Sequence, residues 1–534
     1  MTHSASNRQI ARAAGTVMFA ILFGQLTGLV RGVLVAKVFG ASSELDAFYA
    51  ANRVSETLFL LVAGGALGSA FIPTFTALLA KDEKDAAWRL ASSLANAVTL
   101  TLSLLAALFA FFAPQVVRYA LAPGLSANPE LFSLTIALLR IQLISAVLFG
   151  LGGLIVGILN AHQIFFIPAL TPAMYQIGMI FGAIVLSPSM GIYGLAWGVV
   201  TGALLYVLVQ IPPLVKLWRK MRYKVHLFAL SLNDANVRTV IFLMLPRLVG
   251  VAVVQLNFWV NTWLASQMTA GSVAGLYYGF SLMLMAQTAI AQSVAIAAMP
   301  TFSAQYALGK TDEMRSSLAA SLRGVLLLAI PASVGLMILR EPLISLLYQR
   351  GEFDEHDVQL VAWALLWYAA GLVFHSVMEV LTRAFYAQQD TKTPVVIGTV
   401  AMLLNVVFSF AFSRFFEQIG WLPLGGLALA NSLATALEAT MLFFSMRRRL
   451  GGIEGLRLAR SFAACALASL GMGIGLGWWL QVTGGLTRWL VTLGGVAIGG
   501  IIYGIGVVVL RVPEIQMMMQ VILKRVLRRT SPCS

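Results

Sequence analysis

The chain has 534 residues, of which 59% are hydrophobic and 11% charged, and its mean hydropathy is +0.86. Soluble domains carry about 25% charged residues, so this composition excludes an ordinary soluble protein and predicts an all-α integral membrane protein. The formal net charge of +15 is typical of basic loops beside anionic lipid, and we expect no nucleic-acid partner. The two cysteines do not predict a disulfide framework.

Apolar segments long enough to cross about 30 Å of hydrocarbon recur along the whole chain. They predict about fourteen transmembrane helices, with approximate bounds 14–38, 46–79, 88–120, 131–160, 165–187, 190–215, 239–268, 273–306, 316–339, 357–388, 394–416, 422–446, 458–481 and 487–511. Of the 36 Lys and Arg residues, 26 fall on the side of the N terminus, 6 on the opposite side and 4 inside spans. Because Lys and Arg are enriched in cytoplasmic loops, this bias predicts that both termini are cytoplasmic.

The two halves of the chain repeat with an offset of about 227 residues. Segment 70–77 reappears in kind as 298–304, and 160–168 reappears as 386–394. The period is six helices. Because an even number of spans returns the chain to the same side of the membrane, both copies have the same orientation. The repeat therefore predicts two six-helix lobes related by a pseudo-two-fold axis along the membrane normal, plus two extra C-terminal helices.

The predicted organisation has five parts. They are an N-lobe (1–215), a basic cytoplasmic linker (216–238), a C-lobe (239–449), two further helices (450–511) and a basic amphipathic tail (512–534). We expect the tail to lie along the membrane surface.

No arrangement of residues predicts an enzyme. Gly309-Lys310-Thr311 has Ala304 where a phosphate loop needs its first glycine, and no strand precedes it. His375 and Glu379 lie one helical turn apart; a buried hydrogen-bonded pair is favoured over a metal site. A transporter driven by an ion gradient, by the membrane potential or by mass action is the expectation.

Ionisable residues inside predicted spans are the candidate site. Such a charge costs at least about 2.5–3.5 kcal/mol and usually faces a partner or an aqueous cavity. On the second helix Asp46, Arg53 and Glu56 share one face. With polar residues of the first, seventh and eighth helices they form a predicted headgroup cavity: Arg31, Arg53, Arg247, Asp46, Gln25, Glu56, Asn257, Ser281 and Gln287.

Two interpretations of these charges remain open. Asp46–Arg53 and Arg53–Glu56 are either internal ion pairs that hold helices together, or neighbours of arginines that receive an anionic headgroup. A guanidinium suits phosphate because its planar fork donates two hydrogen bonds. Arg140 is either a wall of that cavity or structural.

Coupling has two candidate forms. Outward transfer of one negative charge gains about 2.3 kcal/mol per 100 mV of membrane potential. Alternatively, a Na⁺ ion binds the amide oxygens of Asn261, Asn405 and Asn431, although interhelical hydrogen bonding is the favoured role of these residues. No cofactor is expected.

Specific motifs extend over nearly the full length. They include Arg31 with Phe39-Gly40, Asp46-Ala47-Phe48, Ala70-Phe71-Ile72-Pro73, Ala122-Pro123-Gly124, Tyr277-Tyr278, Tyr348-Gln349-Arg350-Gly351-Glu352-Phe353 and Tyr386-Ala387-Gln388-Gln389-Asp390-Thr391-Lys392-Thr393-Pro394. In these motifs the chain resembles the MurJ (MviN) family of lipid II flippases. The resemblance implies the multidrug/oligosaccharidyl-lipid/polysaccharide exporter fold, with a lipid-tail groove at the last two helices.

The chain departs from that family pattern at several charged positions. Gln25, Gly32, Phe59, Leu60, Gly64 and Phe280-Ser281 stand where the family has ionisable residues. The predicted cavity is therefore less cationic than the family pattern, and Arg247 or Arg140 is a hypothetical compensation.

The resemblance implies a lipid II flippase that moves undecaprenyl-pyrophosphate-linked peptidoglycan precursor to the outer leaflet of the bacterial cytoplasmic membrane by alternating access. We expect a monomer, with cell-wall synthases as candidate partners. The alternatives are a flippase for another polyprenyl-linked oligosaccharide, a cation-coupled drug exporter, and a non-transporting membrane scaffold for cell-wall assembly.

Overall fold

The computed structural model describes the backbone of residues 3–61, 71–221 and 234–512, and within these ranges all side chains except those of residues 3–17, 220–221, 245–247 and 249. Across the described ranges the chain forms α-helices joined by short turns, and no strand occurs there. The predicted all-α membrane fold is confirmed.

The helices of the first part of the chain are α1 (His3–Phe39), α2 (Ser43–Phe59), α3 (Ile72–Ala80), α4 (Lys84–Phe111), α5 (Ala113–Gln115), α6 (Pro129–Ala161), α7 (Phe166–Phe181), α8 (Ser187–Met190), α9 (Ile192–Leu208), α10 (Ile211–Met221) and α11 (Ala235–Ala265). Wider, π-helical turns occur at Val116–Leu121 and Gly182–Leu186, and at Leu60 and Leu61 after α2. A 3-10 turn spans Leu125–Ala127.

The later helices are α12 (Ser272–Gln287), α13 (Ser293–Ala307), α14 (Thr311–Ile338), α15 (Arg340–Tyr348), α16 (Glu355–Ala387), α17 (Lys392–Gln418), α18 (Leu424–Arg449), α19 (Gly455–Val482) and α20 (Arg488–Val509). A π-helical turn at Thr288–Gln292 joins α12 to α13. The short helix α15 follows α14 directly and is not among the predicted spans.

Within the described residues, 12 helical segments are long and apolar enough to cross a membrane. The two remaining predicted spans are 46–79 and 239–268. The first corresponds to α2 and α3, with residues 62–70 outside the described ranges, and the second to α11. The structure is consistent with about fourteen transmembrane helices.

Prolines interrupt two predicted spans. The predicted helix 88–120 ends as α4 at Phe111, because Pro114 cannot donate a helical hydrogen bond, and a π-helical turn completes the segment. The predicted helix 190–215 is divided between α9 and α10, and Pro212 lies at the start of α10, where proline is tolerated.

The backbone repeats with the sequence. The turn after α3 has a left-handed residue at Asp82 (φ 60°), and the turn after α13 has one at Gly309 (φ 67°), 227 residues later. In both turns the next amide donates to the carbonyl five residues earlier, at 3.0 and 2.9 Å. Gln163 and Gln389, 226 residues apart, are likewise left-handed, each with φ 60°. The repeat is thus present in hydrogen bonds as well as in sequence.

Each repeat buries an equivalent aromatic core. Phe75 is 0% exposed and packs with Phe71, with Trp88 of α4 and with apolar residues of α6. Its counterpart Phe302 is 1% exposed and packs with Phe385 and other apolar residues of α14, α16 and α18. Burial of such large side chains stabilises each helix cluster.

Two compact units make up the structure: Met1–Ala274 with Arg350–Asp354, and Gly275–Gln349 with Glu355–Ser534. The predicted C-lobe begins at residue 239, whereas α11 packs within the first unit, against α2 and α4. Residues 222–233 of the predicted linker and 513–534 of the predicted tail lie outside the described ranges. The lobe boundaries stay a prediction.

Candidate functional site

Asp46, in the first turn of α2, caps the start of α12. Its carboxylate is 2% exposed and accepts hydrogen bonds from the backbone N–H groups of Gly271 and Ala274, both at 2.7 Å. The first N–H groups of a helix lack partners within the helix and carry partial positive charge, so a buried carboxylate is stabilised there. Asp46 therefore ties the beginning of α2 to residues 271–274 in the first unit.

Backbone atoms from separate segments meet beside this cap. Gly271 has φ +82°, and a Cβ on it would lie 2.1 Å from the carbonyl oxygen of Ala41. The carbonyl of Lys37 accepts a hydrogen bond from the amide of Glu352 at 3.0 Å. A Cβ on Gly351 (φ +61°) would lie 2.3 Å from that same carbonyl oxygen. These contacts hold the end of α1 against residues 271 and 351–352 within the first unit.

Arg53 lies two turns further along α2 and is held on two sides. Its Nη1 donates to Oε2 of Glu56 at 2.9 Å, and its guanidinium carbon lies 4.9 Å from the ring centre of Phe258 on α11. The Arg53–Glu56 ion pair, one of the two that the sequence allows, is therefore present. Among the described residues, Nε of Arg53 has no hydrogen-bond partner. Because Nε is buried, an anion reaches this guanidinium from the side where Nη1 meets the partly exposed Glu56, and the aromatic face fixes its orientation.

A hydrogen-bonded cluster lies one turn beyond Arg53. Nε1 of Trp259 donates to the hydroxyl oxygen of Thr57 at 2.9 Å, and that hydroxyl lies 3.3 Å from Oε1 of Gln255. Gln255 is 5% exposed. Sequence reasoning missed this cluster. The available signal was Gln255 inside an apolar segment, on the helix face that also carries Phe258 and Trp259.

The other predicted residues of the first unit have varied surroundings. Arg31 is 9% exposed, with Nη1 lying 3.6 Å from the sulfur of Met179 on α7. Gln25 is exposed, and Asn261 donates to the buried Asn257 at 3.3 Å within α11. The side chain of Arg247 lies outside the described residues. Exposed Arg140 donates from Nε to the carbonyl of Ala110 at 3.1 Å.

In the second unit most of the predicted site residues form hydrogen bonds with other residues of the same unit. Ser281 is half-buried, and Gln287, 4% exposed, donates to the carbonyl of His375 at 3.5 Å. Nε2 of His375 lies 3.1 Å from Oδ1 of Asn431. Oδ1 of Asn405 accepts from Ser409 at 3.0 Å. The amide oxygens of Asn405 and Asn431, two of the three proposed for Na⁺, are thus engaged in hydrogen bonds.

His375 and Glu379 do not form the predicted hydrogen-bonded pair. His375 contacts Asn431 and the hydroxyl of Thr435, at 3.1 and 3.3 Å, whereas Glu379 accepts from Arg383 at 3.0 Å. His375 turns toward α18 because burial requires a hydrogen-bond partner for its ring nitrogen. Within the described residues, no group of three or more His, Cys, Asp or Glu residues is placed to hold a metal ion.

A repeated membrane-helix fold with charged residues on α2 defines a multi-pass membrane transporter. The sequence profile described as Lipid II flippase MurJ matches residues 35–492, and the chain belongs to this family.

Relatives extend over most of the chain. The chain is 32% identical over 441 residues to the Lipid II flippase MurJ of Burkholderia cenocepacia, covering 82% of this chain and 84% of the relative. It is 30% identical over 514 residues to the probable lipid II flippase MurJ of Vibrio cholerae, covering 94% and 95%.

Solved structures give the same relationship. A lipid II flippase MurJ in an inward closed conformation matches with a TM-score of 0.77 and 26% identity, covering 93% of this chain and 98% of that one. An inward-facing multidrug resistance transporter of the MATE family matches with a TM-score of 0.66 over 83% and 99% of the two chains. At 15% identity the second likeness shows the fold alone.

Proposed function

We propose that this protein flips lipid II, the undecaprenyl-pyrophosphate-linked peptidoglycan precursor, across the bacterial cytoplasmic membrane. The observation that carries the proposal is the 32% identity to a lipid II flippase over 82% of the chain. Family membership makes the protein a transporter and not an enzyme. The charge bias of the loops supports cytoplasmic termini, and a monomer working beside cell-wall synthases is part of the proposal.

The headgroup site of the proposal is the charged face of α2. The pyrophosphate replaces Glu56 as the partner of Arg53, while Phe258 keeps the guanidinium in place. The side chain of Glu56 is 41% exposed. Its carboxylate is therefore already partly hydrated, and little free energy is needed to move it away from Arg53. Arg31 and Arg247 are further candidate phosphate ligands, and Asp46 keeps the outer end shut while the substrate enters from the cytoplasmic side.

A groove in the second unit is the proposed site of the polyprenyl tail. Its volume is about 690 Å³, and its walls come mainly from apolar residues of α16, α18 and α19, including Phe374, Phe443 and Phe462. Arg447 lies at its basic end. The sequence-based expectation assigned the groove to the last two helices, whereas this groove takes its lining from α19 and from earlier helices.

Membrane potential is the proposed driving force. Outward movement of each negative charge of the pyrophosphate gains about 2.3 kcal/mol per 100 mV. A Na⁺ site is the less favoured form of coupling, because the oxygens of Asn405 and Asn431 already have partners.

Depletion of the protein in cells tests the proposal. We expect lipid II to accumulate on the cytoplasmic face of the membrane, measured by its accessibility to an external probe. Normal lipid II export together with disordered division would instead identify a non-transporting scaffold. Arg31→Ala, Arg53→Ala and Arg247→Ala, expressed in the depleted cells, test the headgroup site: if all three restore export fully, the headgroup binds elsewhere.

A further inference from the structure

A second basic site lies apart from α2, at one end of α19. A cavity of about 470 Å³ is bounded by α14, by the first turns of α19 and by the residues that follow α20. Four of its lining residues are arginines: Arg323, Arg457, Arg460 and Arg511. All of them belong to the second compact unit.

One carboxylate orders part of this lining. Oε2 of Glu454 accepts from Arg323 at 3.0 Å and from Arg457 at 3.3 Å. Burial raises the pKa of Glu454, but hydrogen bonds and attraction from the two arginines outweigh it and lower the pKa below its ordinary value. Glu454 therefore stays ionised and fixes Arg323, whose side chain is 12% exposed. The four guanidinium groups together with this carboxylate leave an excess of positive charge.

The backbone around the cavity is held in uncommon conformations. Glu454 and Arg511 both have positive φ, 36° and 53°, which costs free energy for residues other than glycine. Arg511 is retained there by a helix-ending turn, in which the amide of Val512 donates to the carbonyl of Val507 at 3.0 Å. This turn directs the chain so that Arg511 lines the cavity beside α19.

The remaining walls are small or apolar. Ala464, Leu510 and Val512 line the cavity, together with the buried hydroxyl residue Ser461. Val512 and Cys465, each 1% exposed, belong to an apolar cluster that joins α14, α19 and α20. The cavity therefore combines cationic donors, three of them near the start of α19 or the end of α20, with an apolar wall that continues into the membrane-spanning segments.

We propose that this cavity binds the phosphate headgroup of an anionic phospholipid. Its volume lies within the range of about 300–1,000 Å³ that is usual for ligand sites. Arginines near the ends of membrane helices attract anionic headgroups, and their planar donors match phosphate oxygens. The apolar wall favours a lipid over free phosphate, because it accommodates the glycerol and the first acyl carbons. The site does not depend on lipid II flipping, and the bound lipid holds α19 and α20 against α14.

The test is the binding of phosphatidylglycerol to the purified full-length protein, measured by native mass spectrometry and by the shift in the thermal unfolding midpoint. The double variant Arg460→Gln/Arg511→Asn removes two guanidinium groups, and asparagine tolerates the left-handed backbone. We expect its affinity for phosphatidylglycerol to fall about tenfold or more, with the unfolding midpoint in neutral detergent unchanged. Arg448→Gln, at an exposed arginine outside this cavity, is the matched control and should bind like the wild type.

Three results would overturn the proposal. They are equal binding by the double variant and the wild type, an equal loss in Arg448→Gln, and the same stabilisation of the wild type by inorganic phosphate alone. The last result would identify a free-phosphate site. Phosphatidylcholine vesicles supply the zwitterionic comparison with no net charge and should give no stabilisation that depends on Arg460 and Arg511.

Discussion

Helices α2 and α12 are copies of one element in the repeat, yet they carry different chemistry. Each leads into a π-helical turn, at Leu60–Leu61 after α2 and at Thr288–Gln292 after α12. With the offset of about 227 residues, Leu61 corresponds to Thr288. Helix α2 carries buried or partly buried charges, whereas the polar residues Ser281 and Gln287 of α12 are uncharged.

This difference separates the features that folding requires from the features that bind the substrate. The π-helical turns and left-handed turns recur in both copies because helix packing and chain reversal depend on backbone geometry. Charge is expensive inside a membrane and is retained where it serves a function. Arg53 and its partner Glu56 are therefore the better candidates for substrate contact, whereas Asp46 caps α12, and the following variants separate these two roles.

The largest effect is expected from Asp46→Ala. The variant leaves two buried N–H groups without their carboxylate, and each hydrogen bond to a charged group contributes about 1.5–3 kcal/mol. We expect lipid II export to be lost in a complementation assay. Glu44→Gln alters an exposed acid two residues away and should retain export. Full activity of Asp46→Ala would show that the cap is dispensable.

Gly271→Ala is expected to have the next largest effect. A methyl group there would overlap the Ala41 carbonyl in a backbone conformation that costs about 1–3 kcal/mol for other residues. The unfolding midpoint should fall. Gly335, within α14, has no heavy atom within 4 Å of the point that a Cβ would occupy, so Gly335→Ala should be neutral or stabilising. Equal midpoints for the two variants would contradict the close approach.

Arg53→Ala tests substrate contact without a large change in stability. It removes an ion pair with partly exposed Glu56 and the contact with Phe258, the latter worth about 0.5–2 kcal/mol. We expect export to fall at least about tenfold, with partial recovery in Arg53→Lys because lysine retains charge but not the planar fork. Arg140→Ala is the control. If it impairs export as much as Arg53→Ala, charge on α2 has no special role.

The sequence predicted the all-α fold, the repeat and the position of most spans, because the length of an apolar segment is a local property of the chain. Spacing on one helix face made the Arg53–Glu56 ion pair one of two open interpretations, and the structure contains that pair. It did not predict that Asp46 binds residues 271–274, since that contact joins segments more than 220 residues apart. Nor did it predict the Thr57 cluster, which depends on how α11 is rotated against α2.

The smallest effect concerns the turns that precede α7 and α17. Both contain a left-handed glutamine, but Ile164 follows in the first and Asp390 in the second. Partial burial raises the pKa of Asp390, while hydrogen bonds from Thr393 and Arg449 outweigh this and lower it to about 2. A lowered pKa stabilises the folded state above the unfolded value of about 3.9, and this stabilisation is lost as pH falls toward 2.

The unfolding midpoint of Asp390→Asn should therefore lie below that of the wild type at pH 6, and the difference should shrink between about pH 4 and 2. Differential scanning fluorimetry in detergent measures both curves. Asp82 is an acid whose side chain is 80% exposed. The unfolding midpoint of Asp82→Asn should therefore change with pH in the same way as that of the wild type. A constant difference between the wild type and Asp390→Asn across this range would mean that the Asp390 carboxylate is not the source of the extra stability.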